Sequence, residues 1–320
     1  MGGIHPQTHI GPVHYIVRDL DRQVEFYRDI LGFHVLQHQG GTAVLGAPPA
    51  GAGANGAAGP GGLAGTELLR MTEVPDAPRP GRTTGLYHTA FLLPTRWDLA
   101  HLVQRIIDTR TPVQGHSNHG THLALYLPDP EGNGIELAWD FPKEAWPMRD
   151  GKMRFEDMPR EGIVIPELLQ ELERNPAPWP GLPPGTTVGH VHLHVSNLET
   201  TRRFYHEVLG FDITVEGWHI GALFFSAGGY PQADQNQERA RFCAGGYHHH
   251  IGANVWRGVG VPAPPEGAMG LRWFTVVLPG DEELKRVKAA ASAAGFEPVT
   301  DGDGVLLRDP SQNGVRLTVA

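Results

Sequence analysis

The feature that most constrains this chain is that it contains the same pattern twice. "GPVHYIVRDLDRQVEFYRDILGFHV" (residues 11–35) aligns without a gap on "GHVHLHVSNLETTRRFYHEVLGFDI" (residues 189–213). Each copy reads as a strand, an Asp19 or Asn197 helix start, an amphipathic helix carrying Phe-Tyr, a Leu-Gly stop and a second strand. A fainter echo links "LYHTAFLLPTRWDLAHLVQRI" from Leu86 with "LRWFTVVLPGDEELKRVKAA" from Leu271, each a strand, a Pro turn and a helix. These segments close on "LYLPDPEGNGIELAW" and "LLRDPSQNGVRLTV". The chain is therefore an internal duplication of four strand-helix-strands modules, at roughly 10–75, 84–142, 188–257 and 270–320.

Two domains follow, 10–142 and 188–320, each of two modules. Between them the proline-rich segment 143–187 reads as a linker with one short helix, "IPELLQELER". With 40% hydrophobic and 19% charged residues the chain is globular. A formal charge of -9 and the lack of a Lys/Arg run argue against nucleic acid, which leaves small molecules as partners. Cys243 is alone, so no intrachain disulfide is expected. The opening stretch has no basic leader with an apolar core, and no segment has the roughly 20 apolar residues of a membrane span, so a cytoplasmic location without membrane contact is expected. "GAGANG" imitates a dinucleotide fingerprint, yet prolines bracket it and no helix follows; it reads as a hairpin loop. The insertion "PQADQNQERARF" is polar and is expected to be exposed.

The 18 histidines are the anomaly of composition. In "GHVHLHV" strand alternation sends Val191, Leu193 and Val195 to one face and His190, His192 and His194 to the other. In "HHHIGANVW" it sends Ile251, Ala253 and Val255 inward and turns His250, Gly252, Asn254 and Trp256 toward a cavity, with His249 at the strand edge. "NGIELAW" buries Ile135 and Leu137 and turns Glu136 the other way, where a carboxylate among aliphatics needs a partner.

Repeated βαβββ units with "HxxVxDLxxxxxFYxxxLGF" openings and "DPxGNxIEL" endings resemble the vicinal oxygen chelate superfamily of glyoxalases, bleomycin-resistance proteins and type I extradiol dioxygenases. The fused four-module form is most similar to catechol 2,3-dioxygenase-like proteins. The resemblance implies an α+β fold in which modules pair into two cupped half-barrels. It also implies metal ligands from the first and last strands of modules. Aligned openings carry His14, His88, His192 and Trp273, and the second and fourth modules close with Glu136 and Arg316. If modules pair in chain order, one cup holds His14, His88 and Glu136. If the second pairs with the third, it holds His88, Glu136 and His192 with His250 beside them, and this arrangement leaves fewer buried imidazoles without partners.

Two imidazoles and a carboxylate suit non-haem Fe(II), with Mn(II), Zn(II) or Ni(II) as alternatives. The family's ring-cleaving members are similar in placing a Tyr before the carboxylate ligand, here Tyr126, and a His on a fourth strand, here His250, expected as the acid–base. His119 is expected to bond substrate or oxygen. His190 and His194 are expected to support the ligands, with Trp256 and the "GWHIGALFF" strand as apolar walls. The implied reaction is extradiol cleavage of a catechol-like or hydroquinone-like diol by O2, in a monomer or homo-oligomer. A glyoxalase-like isomerase or lyase and a non-catalytic resistance protein that sequesters a small molecule are the rival readings.

Overall fold

Cap chemistry and strand alternation produce the same order of elements in every quarter of the chain. The computed structural model describes residues 3–49, 65–149, 152–153, 155–159, 161–228 and 247–320; "GAGANG", "PQADQNQERARF" and Cys243 lie outside them. The first module comprises β1 (His9–Val17), α1 (Leu20–Glu25), β2 (His34–Gln39), β3 (Thr42–Ala47) and β4 (Thr66–Glu73). The second comprises β5 (Gly85–Leu92), α2 (Arg96–Asp108), β6 (Gly115–Asn118), β7 (His122–Pro128) and β8 (Gly134–Asp140). A short ribbon, β9 (Met148–Arg149) with β10 (Lys152–Met153), and the expected helix α3 (Ile165–Arg174) follow. The third module has β11 (Thr187–His194), α4 (Leu198–Arg202), β12 (Asp212–Gly217), β13 (Ala222–Ser226) and β14 (Ile251–Asn254). The fourth has β15 (Gly270–Leu278), α5 (Asp281–Ala293), β16 (Val299–Asp301), β17 (Gly304–Arg308) and β18 (Gly314–Val319).

The caps act as the sequence suggests. Asp19 accepts from the Arg22 backbone N–H and Asn197 from that of Thr200, both at 3.0 Å. In both repeats the helix then widens into a π-helical stretch, Phe26–Ile30 and Arg203–Leu209, which carries the Phe-Tyr pair. No described helix is long and apolar enough to cross a membrane.

Two eight-stranded sheets result, ordered β16-β17-β18-β15-β1-β4-β3-β2 and β12-β13-β14-β11-β5-β8-β7-β6. The first joins modules one and four, and the second joins modules two and three. Of the two pairings open in the sequence, the chain thus adopts second with third. At each join the central strands run antiparallel: His14 lies opposite Trp273, and His192 opposite His88.

One continuous core receives the inward residues of both sheets, among them Val13, Tyr15, Val17, Val191, Leu193 and Val195. The alternation expected for "GHVHLHV" holds on its apolar side. Tyr15 and Thr89 hydrogen-bond through their hydroxyls at 2.6 Å and tie the two sheets together. The Phe-Tyr motif binds the modules of each half to one another. Tyr27 donates to Asp129 at 3.4 Å and Tyr205 to Asp309 at 3.0 Å, and each aspartate also accepts backbone N–H groups of its own turn. That is the physical reason the "DP" turns recur. Tyr205→Phe should lower the unfolding free energy by about 1–3 kcal/mol, because it strips a donor from a buried carboxylate. Tyr27→Phe, whose bond is longer, should cost less; urea denaturation of both variants checks the order.

Candidate metal centre

Glu136 is the centre of the site. It sits on β8, beside Ala90 of β5 and opposite Tyr126 of β7, and is 1% exposed on the concave face of the second sheet. Three imidazoles converge on it. His88 Nε2 and His190 Nε2 lie 3.0 and 3.2 Å from Oε2, and His122 Nε2 lies 3.1 Å from Oε1. Despite these approaches, His88 Nε2 and Glu136 Oε1 have no hydrogen-bond partner among the described residues. Burial alone would push the Glu136 carboxyl up. The facing His190, His122 and His88 imidazoles outweigh it and hold the group well below the usual carboxylate range.

His88, Glu136 and His190 offer ligand atoms within 4.8 Å of one another. Two imidazole nitrogens and a carboxylate converging in one buried spot, with His190 Nε2 hydrogen-bonded to Oε2 at 3.2 Å and His88 Nε2 left without a hydrogen bond among the described residues, fit a divalent transition metal. His192, expected as the third ligand from its place in the repeat, stands one rung away. Its ring packs between Tyr87, Phe224 and Trp256, and its Nε2 has no hydrogen-bond partner among the described residues. The antiparallel join explains the difference. His88 pairs with His192 and Ala90 pairs with His190, so rotation about the join carries His88 onto His190 and Ala90 onto His192. His14 lies in the other sheet, against Trp273.

A cavity of about 400 Å³ opens over this floor. Its apolar wall is Tyr87, Val215, Ile220, Phe224 and Trp256, with Met153 and Met158 from the linker. Its polar wall includes His119 and Tyr126, which the structure brings together in a 2.8 Å hydrogen bond between Nε2 and Oη. Burial, reinforced by the Glu136 charge, keeps the Tyr126 hydroxyl protonated, and burial keeps His119 neutral with a pKa of about 3.

The histidine triplet divides its work. His249 lines the cavity, and His248 bonds His249 and Asp140. His250, expected as the acid–base, does not reach the cavity; its Nδ1 accepts from the Ala227 N–H and contacts the Ser226 hydroxyl, both at 3.1 Å. Strand β14 begins only at Ile251, so the alternation that would aim His250 at the cup does not extend to it. His194 is held by Asn254 at 2.8 Å. Sequence reading gave His122 no role, although it lies four residues before Tyr126 on β7, where a period of two puts both on one face.

A curled eight-stranded sheet made from two βαβββ repeats is the vicinal-oxygen-chelate fold. The chain belongs to the Glyoxalase/Bleomycin resistance protein/Dioxygenase superfamily, whose family model matches residues 9–137 and 187–317. It is 38% identical over 314 residues to the catechol-2,3-dioxygenase of Bacillus subtilis (strain 168), covering 97% of this chain and 96% of that protein. A 62-residue stretch, 18% of this chain and 30% of the relative, is 45% identical to biphenyl-2,3-diol 1,2-dioxygenase 3 of Rhodococcus globerulus. Among solved structures, glyoxalase I from Zea mays shares the fold with a TM-score of 0.54 at 14% identity, over 97% of this chain and 92% of that one.

The buried imidazoles also make stability depend on pH. Burial depresses His119 and His250 to about 3 and His194 to about 4. The unfolded chain, with imidazoles near pH 6.5, therefore binds more protons in acid than the fold does. Metal-free protein should lose stability progressively as pH falls below about 6.5, and the urea midpoint measured between pH 7 and 4 should decline monotonically.

Proposed function

We propose that the chain is an extradiol ring-cleaving dioxygenase that uses Fe(II) and O2 on a catechol-like diol, with a hydroquinone-like diol as the alternative substrate. The observation that carries this reading is the convergence of His88, His190 and Glu136 beneath a cavity whose polar wall is the His119–Tyr126 pair. The 38% identity to a catechol-2,3-dioxygenase over nearly the whole length of both chains supports it. His88, His190 and Glu136 would hold the iron; bound there, the metal would supply a Lewis acid that acidifies the diol and a redox centre for O2.

The remaining steps belong to the protein's own side chains. His249 Nδ1 is engaged by His248 Nδ1 at 2.8 Å, which leaves His249 Nε2 as the ring nitrogen available to the cavity. Burial holds this imidazole neutral, so it accepts a proton from a diol hydroxyl. Tyr126, kept protonated, donates a hydrogen bond to a substrate oxygen, and His119 fixes the direction of that hydroxyl. Tyr87, Phe224 and Trp256 give the cavity an apolar aromatic wall, and its volume of about 400 Å³ admits one aromatic ring with small substituents.

Anaerobic Fe(II) loading followed by oxygen uptake tests the reading. Wild type should retain one iron and consume O2 with catechol. His88→Ala and His190→Ala should lose the metal while His192→Ala keeps it; the opposite pattern would return the third ligand to His192. Retained iron without oxygen uptake on any catechol or hydroquinone would favour a glyoxalase-like isomerase. Tyr126→Phe should keep its iron and lose about 10²- to 10⁴-fold in kcat, the range of a general-acid contribution.

A further inference from the structure

The other sheet has a cup of its own, of about 510 Å³, formed where β1 meets β15. Its residues correspond to those of the metal centre through the shared register. Trp273 stands opposite His14 as His88 stands opposite His192. Arg316 lies beside Thr275 as Glu136 lies beside Ala90. The carboxylate at the base of one cup is thus a guanidinium in the other, and a methyl group has become a hydroxyl. A chain that had merely lost a metal site would need neither change.

Two buried polar atoms in this second cup are unsatisfied. Thr275 Oγ1, on a residue 2% exposed, and His14 Nδ1, on a residue 5% exposed, have no hydrogen-bond partner among the described residues, and both residues line the cavity. Buried polar atoms are ordinarily paired, so such a pair in one concavity points to something they bind. Arg70, Arg272 and Arg316 line the cup together with Glu67, Asp301 and Asp303, and of the three guanidiniums only that of Arg272 has no carboxylate partner among the described residues, so it is the cation open to an anion. Arg70 is committed to Glu67 by two 3.0 Å bonds. Arg272 makes no side-chain hydrogen bond among the described residues. Arg316 donates to the Asp301 carboxylate and backbone carbonyl and to Asp303, whose side chain is 90% exposed, so that this last pair is a solvent-exposed one for which a ligand anion can compete. Trp273, with the Arg316 guanidinium 5.2 Å from its ring centroid, adds an apolar surface that an inorganic ion would not use.

We propose that the β1/β15 cup is a binding site for a small organic carboxylate, held by Arg272, Arg316 and Thr275 against Trp273. The site is separate from the metal centre and does not rest on the dioxygenase reading.

Calorimetric titration of the full chain with sodium benzoate tests it, with inorganic phosphate as a parallel arm. Wild type should bind one benzoate. Arg272→Gln and Thr275→Val should each weaken binding on the order of tenfold or more, the loss expected for one charge-assisted or buried hydrogen bond. Glu136→Gln should leave benzoate binding unchanged. Thr275→Val replaces an unpaired buried hydroxyl by a methyl and should melt no lower than wild type, which separates lost binding from lost folding. Absence of benzoate binding in wild type would overturn the proposal. So would binding that survives both cup substitutions, binding lost in Glu136→Gln, or phosphate binding with benzoate refused.

Discussion

A carboxylate withdrawn from water must be compensated where it lies, and Glu136 is the residue around which this protein is arranged. Two strands of one module and the first strand of another deliver imidazoles to it: His88 from β5, His122 from β7 and His190 from β11. None of these alone offsets the desolvation of the carboxylate. Together they hold it ionised, and burial lowers the pKa of the His190 imidazole beside it. A buried carboxylate ringed by imidazole nitrogens is a good receptor for a divalent cation. The aromatic wall and the His119–Tyr126 pair then give that receptor a shape suited to one ring.

The duplication is what makes such a centre affordable to a chain of this size. Each sheet takes one module from each half, while the Tyr27–Asp129 and Tyr205–Asp309 bonds clamp the two modules within a half. The two sheets are therefore cross-braced. One cup has imidazoles and a carboxylate; the other has Trp273, Thr275 and Arg316 at the positions corresponding to His88, Ala90 and Glu136.

Much of this was legible in the residues. The βαβββ repeat, the caps, the linker helix and the inward faces of the central strands follow from local pattern, because cap hydrogen bonds and a period of two are properties of a few neighbouring residues. Glu136 stood out as a carboxylate among buried aliphatics, and His88 as a matched position in the opening strands of the modules. Tyr126 and His119 were legible as candidates, although their mutual bond was not. The choice between His190 and His192 was not legible, since alternation puts both on one face. His249 and His250 were also misjudged from alternation, because the sequence does not mark where β14 begins.

By itself, then, the sequence determined four modules, their internal order and a concave face rich in histidine. Tertiary structure decided which modules share a sheet and which imidazole meets Glu136. The reason is the antiparallel join of β5 and β11: its register is set by packing between segments about a hundred residues apart, with shifts at Val188/His190 and His192/Leu193. A step of one rung along that join exchanges His190 for His192 without altering any local pattern in the chain.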